Sequence, residues 1–135
     1  MRRENAFRID PDEIKRLADS KTKLILVNSP HNPTGTTIGD GEMEALHDFT
    51  AKHGIQLVSD EVYHPIYHGS QMRSAARLPH ATVIADLSKA FSIAGVRTGW
   101  RVEQTPRAAS NTAISSSASW RTIATYSAGF RRKAA

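Results

Sequence analysis

The chain has 135 residues, enough for one domain with a buried core, and its 39% hydrophobic and 23% charged residues are ordinary for a soluble globular protein. It contains no cysteine, which excludes disulfides, cysteine-ligated zinc and thiol catalysis. The net charge of +5 sits at one end: residues 1–102 carry 13 Lys+Arg against 12 Asp+Glu, and residues 103–135 carry five against one, which argues against a basic nucleic-acid-binding face across the body.

The longest apolar runs, such as Leu24-Ile25-Leu26-Val27, are too short to span a bilayer. Met1-Arg2-Arg3-Glu4-Asn5 is not followed by the apolar stretch of a signal peptide, so the cytoplasm is the expected location. The first element is a short helix, with Asp10 as N-cap, Pro11 at its first position, acids in its first turn and Ile14 and Leu17 on its apolar face. Residues 24–27 then form a continuous apolar run, the pattern of a strand covered on both faces in a parallel sheet.

Asn28-Ser29-Pro30-His31-Asn32-Pro33-Thr34-Gly35 is turn and loop chemistry throughout. Residues 41–53 read as a helix that buries Met43, Leu46 and Phe49 with Ala45, turns Glu42, Glu44, Asp48 and Lys52 to water, and stops at Gly54. Residues 55–58 are a second apolar strand ending at Ser59-Asp60-Glu61, which completes a right-handed βαβ unit. Residues 64–80 are irregular, residues 81–85 a third strand and residues 99–102 a candidate fourth. Beyond Val102 the chain is rich in Ser, Ala, Thr and Arg without apolar periodicity, and reads as disordered or at most weakly helical.

In open parallel α/β sheets, ligands bind outside the carboxyl ends of the strands. Asn32 follows the first strand, Asp60 and Tyr63 the second, and Ser88 and Lys89 the third, with Arg97 eight residues beyond the lysine. Taken singly, each has an ordinary explanation: a turn, a solvated strand end, a packed phenol, a surface charge. Together they bring an amide, a carboxylate, a phenol, a lysine and an arginine to one crevice. A nucleophilic lysine needs a partly desolvated amine and small neighbours against which a flat cofactor can lie. A competing constellation, metal binding by Asp60, Glu61, His64 and His68 with His31 nearby, needs a helix that Pro65 and Gly69 oppose, so no metal site is expected.

Ser29-Pro30-His31-Asn32-Pro33-Thr34-Gly35, Ser59-Asp60-Glu61-Val62-Tyr63 and the run from Ser88-Lys89-Ala90-Phe91 to Val96-Arg97-Thr98-Gly99-Trp100 resemble the three signature segments of class I/II aminotransferases, which are pyridoxal-phosphate enzymes of the aspartate-aminotransferase fold. The resemblance covers roughly residues 7–102. It implies an α/β fold, a three-layer fragment of the cofactor-binding large domain with a mainly parallel sheet and flanking helices. Domain limits follow as 1–102 for that partial domain and 103–135 for a non-matching tail.

The resemblance also implies roles. Lys89 forms the Schiff base with pyridoxal 5'-phosphate and moves the substrate proton; Asp60 pairs with the pyridine nitrogen; Asn32 and Tyr63 hydrogen-bond the ring's phenolic oxygen; Arg97 takes the phosphate, with Ser88 reaching it as well. The implied reaction is amino-group transfer between an amino acid and a 2-oxo acid, small-molecule partners, with a homodimer expected of the intact family. Two departures stand out. Asp86 occupies the position where many members carry a phosphate-binding serine, so its carboxylate has to turn away, be protonated or be offset by cations. The parts of the family's longer chain that complete the cup and recognise the substrate carboxylate are not found, the pattern of a truncated gene. The alternatives are a catalytically inactive remnant, a related pyridoxal-phosphate lyase or synthase, and, in another class, an interaction or nucleic-acid-binding module using the basic tail. Few helices over three or four parallel strands predict a chain that is marginal or aggregation-prone alone.

Overall fold

The computed structural model describes residues 3–69, 71–103 and the backbone of 121–127. Helix α1 (Pro11–Leu17) starts where the sequence puts it: Asp10 Oδ1 accepts hydrogen bonds from the backbone N–H of Asp12 at 2.9 Å and of Glu13 at 3.3 Å. Helix α2 (Asp40–His53) is capped by Glu42, whose carboxylate accepts from the Gly39 N–H at 2.6 Å. It ends at Gly54, whose φ of 66° is the left-handed conformation that closes a helix.

The buried face of α2 is Met43, Leu46 and Thr50, spaced i, i+3, i+7. Phe49, expected inside, is half-buried and lies tilted against His53 at 4.4 Å between ring centroids. Thr50 takes the inner position because its hydroxyl is satisfied locally, donating to the His47 carbonyl at 2.8 Å. Glu42 and Glu44 are not merely solvated either. Glu42 is the cap, and Glu44 accepts from Arg77 Nη1 at 2.7 Å.

Five strands form one sheet in the order β1 (Leu24–Asn28), β2 (Gln56–Asp60), β3 (Ala81–Asp86), β4 (Thr98–Glu103), β5 (Arg121–Ser127). β1, β2 and β3 run parallel, β4 is antiparallel to β3, and β5 is parallel to β4. The fold is therefore α/β with a mixed, mostly parallel sheet and flanking helices. The core lies on one sheet face, where Val27, Leu57, Ala81 and Val83 pack with Ile38, Met43 and Leu46. Met72, Ala75 and Leu78, from the stretch expected to be irregular, join this core around a short 3-10 turn at Ala75–Arg77.

Two further expectations are corrected. β1 is not covered on both faces: it is the edge strand, and Leu24 and Leu26 are 53% and 59% exposed. The tail contains strand β5, where a disordered or weakly helical chain was expected. Thr122, Ile123, Thr125 and Tyr126 favour strand, and pairing along β4 supplies the backbone partners that a local reading of composition does not see. Glu103, the first residue of the expected tail, ends β4, and residues 104–120 and 128–135 lie outside the described residues. No helix among the described residues is long and apolar enough to cross a membrane.

Candidate functional site

The parallel strands β1, β2 and β3 end together. Asn28 is in register with Asp60, and Asp60 with Ile84, which puts the side chains of Asn28, Asp60 and, two residues on, Asp86 on the same sheet face at the carboxyl ends. Glu61, one residue past β2, turns to the opposite face and is 2% exposed, accepting from Ser59 Oγ at 3.1 Å and the Ala75 N–H at 2.8 Å. Asp60 and Glu61 thus point apart. His64 is turned toward the Met72 carbonyl, 3.3 Å from its Nε2, and edge-on to Tyr67. Among the described residues no group of three His, Asp or Glu is placed to hold a metal ion.

The loop after β1 is held from three directions. Asn28 Oδ1 accepts from the Asn32 N–H at 2.9 Å, while Asn28 Nδ2 donates to the Asp60 carbonyl at 3.1 Å. Buried Ser29 accepts from the Ile38 N–H at 3.0 Å through its hydroxyl, which contacts Met72 Sδ at 3.1 Å. His31 and Thr36 close the tip through a 2.8 Å backbone bond, and Gly35 turns the chain there with φ 72°. This frame presents Asn32, whose Nδ2 donates to the Tyr63 hydroxyl at 3.0 Å across 31 residues of sequence. Asn28 was not singled out from the sequence as a site residue. A lone asparagine at a strand end reads as turn chemistry, and only the register with Asp60 reveals it as a brace.

Lys89 follows β3, its Nζ 6.0 Å from the Tyr63 ring centroid. Its side chain is exposed, so the desolvation expected of a nucleophilic lysine is not supplied by the surroundings seen here. Asp60 Oδ1 accepts from the Val62 N–H at 3.1 Å, a local bond that fixes the turn out of β2. Asp86 turns onto its own loop: Oδ1 accepts from the Ser88 N–H at 2.8 Å and Oδ2 from Ser88 Oγ at 2.9 Å. Arg97 is exposed at the end of a 3-10 turn (Ala94–Val96), with φ 53° and its Nη1 3.4 Å from the Ala94 carbonyl. The structure brings Asn32, Tyr63 and Lys89 together directly. Asp60 and Ser88 stand on adjacent strand ends, and Arg97 belongs to the return from Lys89 into β4.

A cavity of about 350 Å³ is lined by Asn32 and Tyr63 together with the loop after β1 and Ile66, Tyr67 and His68; Asp60, Lys89 and Arg97 do not line it. Burial raises the phenol pKa of Tyr67 on its wall, with the negative charge of Glu61 adding to the effect.

Comparison with known proteins decides the family. Residues 1–128 match the family Aminotransferase class I and II. The chain belongs to that family. Relatives of this class I/II aminotransferase chain include the aspartate aminotransferase of Bacillus subtilis, 36% identical over 93% of this chain and 34% of the relative. They also include the aspartate aminotransferase of Pyrococcus abyssi, 38% identical over 73% of this chain and 26% of the relative. Among solved structures, a Thermus thermophilus aspartate aminotransferase mutant superposes with a TM-score of 0.66 at 33% identity, over 70% of this chain and 25% of that one. An aromatic aminotransferase from Pyrococcus horikoshii gives 0.64 at 33% identity, over 70% and 27%. The chain therefore spans about a quarter to a third of the length of these aminotransferases. The family match runs to residue 128 and so takes in β5.

Proposed function

We propose that this chain binds pyridoxal 5'-phosphate at the carboxyl ends of β1 to β3, with Lys89 as the covalent anchor, and that it carries the cofactor half of an aminotransferase site acting on an amino acid and a 2-oxo acid. The observation that carries this reading is the 3.0 Å bond between Asn32 Nδ2 and Tyr63 OH, with Lys89 Nζ 6.0 Å from the same tyrosine ring. The donor chemistry fits. Asn32 spends one amide hydrogen on Tyr63 and keeps a second, and Tyr63 keeps its own hydroxyl hydrogen, so two donors are available to one incoming phenolic oxygen.

The remaining roles follow from charge and placement. The Asp60 carboxylate suits a protonated pyridine nitrogen; such a charge-assisted bond contributes about 1.5–3 kcal/mol. Arg97 offers a planar fork to phosphate oxygens. Lys89 would hold the cofactor aldehyde, and its amine, when free, would be the base that takes a proton from the α-carbon of a bound amino acid, the lysine Nζ carrying that proton as an ammonium. When bound, pyridoxal phosphate supplies the electron-withdrawing ring that makes that proton removable. Asn32, held by Asn28, and Tyr63 would fix the ring's orientation.

The exposure of Lys89 favours a second reading, a chain that captures the cofactor but does not turn substrate over. Titration with pyridoxal phosphate separates the two readings. Both give a saturable visible absorption band that is lost in Lys89→Ala and weakened about tenfold in Asn32→Ala, a shift of about 1.4 kcal/mol. The full reading adds bleaching of the band by an amino acid and its return on adding a 2-oxo acid. Absence of any Lys89-dependent band at saturating cofactor contradicts both.

A further inference from the structure

The groups beside Lys89 that stand nearest to serving a bound anion are the backbone N–H and the hydroxyl of Ser88. Both are already engaged. Asp86 Oδ1 accepts from the Ser88 N–H at 2.8 Å and Oδ2 from Ser88 Oγ at 2.9 Å. A serine hydroxyl has one hydrogen to give, so in this arrangement Ser88 offers an incoming group lone pairs only. The clasp is also built in. Asp86 is the last residue of β3 and pairs in register with Gly99 of β4, where a Cβ would meet the Ala85 carbonyl at 2.9 Å and Asp86 Cβ at 3.3 Å. The strand opposite is thus bare where Asp86 stands. Both Asp86 and Ser88 are half-buried, so solvent screens the carboxylate only in part. Asp60 adds a second carboxylate on the same sheet face.

A phosphate monoester carries between one and two negative charges near neutral pH and needs hydrogen-bond donors. At this loop it would meet a carboxylate and a hydroxyl oriented as an acceptor, against which Arg97 is the cation supplied by the same segment, Lys89 being committed to the aldehyde. The phenolic end of the ring, by contrast, meets the donors of Asn32 and Tyr63. The Asp86–Ser88 clasp thus offsets what Arg97 offers the phosphate, while the donors facing the ring are unopposed. We propose that the Asp86–Ser88 clasp makes the site nearly indifferent to the cofactor's phosphate, so that it takes the unphosphorylated pyridoxal aldehyde about as well as pyridoxal phosphate, and that Asp86 is the residue that sets this. The inference rests on the cofactor reading above and concerns only which form of the aldehyde is held.

The probe for the unphosphorylated form is 5'-deoxypyridoxal, which lacks the 5'-hydroxyl through which pyridoxal closes on its own aldehyde. Dissociation constants for it and for pyridoxal phosphate are read from the Lys89-dependent band in the unmodified chain, Asp86→Ser, Asp86→Asn and Ser88→Ala, with Lys89→Ala as background and far-UV circular dichroism as the check on folding. The expected ratio of the two constants is within about threefold of one in the unmodified chain. It rises about tenfold or more in Asp86→Ser through tighter binding of pyridoxal phosphate alone, and by less in Asp86→Asn, which keeps an acceptor for the Ser88 N–H. In Ser88→Ala it stays within about threefold of the unmodified value, because the lost hydroxyl was already committed. A preference for pyridoxal phosphate above about thirtyfold in the unmodified chain overturns the proposal, as does an unchanged ratio in both folded Asp86 variants. If neither aldehyde gives a Lys89-dependent band in any variant, the cofactor reading itself fails and takes this inference with it, a pattern distinct from two bands of fixed ratio.

Discussion

Asn28 is a small residue with two tasks. Its amide oxygen holds the backbone of Asn32, and its amide nitrogen holds the end of β2 at Asp60. Replacing it with alanine removes both bonds, but the Asn32 N–H is exposed to water and the Asp60 carbonyl keeps the Ser29 N–H at 3.0 Å, so the loss is about 0.5–1.5 kcal/mol. Asn28→Ala is expected to lower the urea midpoint and to weaken cofactor binding about tenfold, a decrement comparable to that of Asn32→Ala, although Asn28 itself touches no cofactor atom in the proposed arrangement. A shift in the urea midpoint without loss of affinity would show that the brace is structural only. Gly99 makes a similar point for the backbone. Alanine there forces the Ala85 carbonyl away, so Gly99→Ala is expected to destabilise by about 1–3 kcal/mol, measured by urea unfolding.

At the scale of elements, the stretch between β2 and β3 shows what local sequence reading misses. It is rich in proline, glycine and histidine and reads as loop, yet Glu61 anchors it from within by accepting the Ala75 N–H, and Met72, Ala75 and Leu78 enter the core. Such an anchor is a long-range contact and has no local signature. Glu61→Ala removes the acceptor of two buried donors and is expected to cost about 1–3 kcal/mol, whereas Glu61→Gln, which keeps an acceptor oxygen, costs less. The positions of the candidate site residues were legible because each sits beside a turn or an apolar run that marks a strand end. Asn32 follows β1, Tyr63 follows β2, and Ser88, Lys89 and Arg97 follow β3, while Asp60 is the last residue of β2 itself. What was not legible were the faces: Thr50 in place of Phe49, Glu44 paired with Arg77, and β5 finding its partner in β4.

The contact between α2 and the same stretch also titrates. Arg73 Nε donates to Asp40 Oδ2 at 2.7 Å, and this bond holds the Asp40 carboxyl below its usual value of 3.8. A carboxyl whose folded value is depressed stabilises the fold above its unfolded value, and that contribution is lost as the pH falls through the folded value. Asp40→Asn is therefore expected to lower the urea midpoint slightly at pH 7, the pair being exposed, and the difference from the unmodified chain should narrow below pH 3.8. A gap that persists unchanged under acid would assign the effect to the helix start rather than to the ion pair.

For the whole molecule, the sheet is covered unequally. Leu24 and Leu26 on the edge strand and Ile84 on β3 expose large apolar side chains on the face opposite the core, and Leu17 adds another at the end of α1. An edge strand with exposed leucines invites association. Light scattering on heating is expected to grow with protein concentration and to fall in the double variant Leu24→Thr and Leu26→Thr. A single melt at high temperature, independent of concentration, would contradict that expectation. The chain spans a quarter to a third of the aminotransferases it matches, and within that span it brings Asn32, Tyr63 and Lys89 together at the carboxyl ends of three parallel strands. The most direct test of Lys89 as the anchor is borohydride reduction of the chain in pyridoxal phosphate, followed by peptide mass mapping. The expected result is a stoichiometric reduced cofactor adduct on Lys89 and on no other lysine. Adducts scattered over the surface lysines Lys15, Lys21, Lys23 and Lys52 without preference for Lys89 would contradict it.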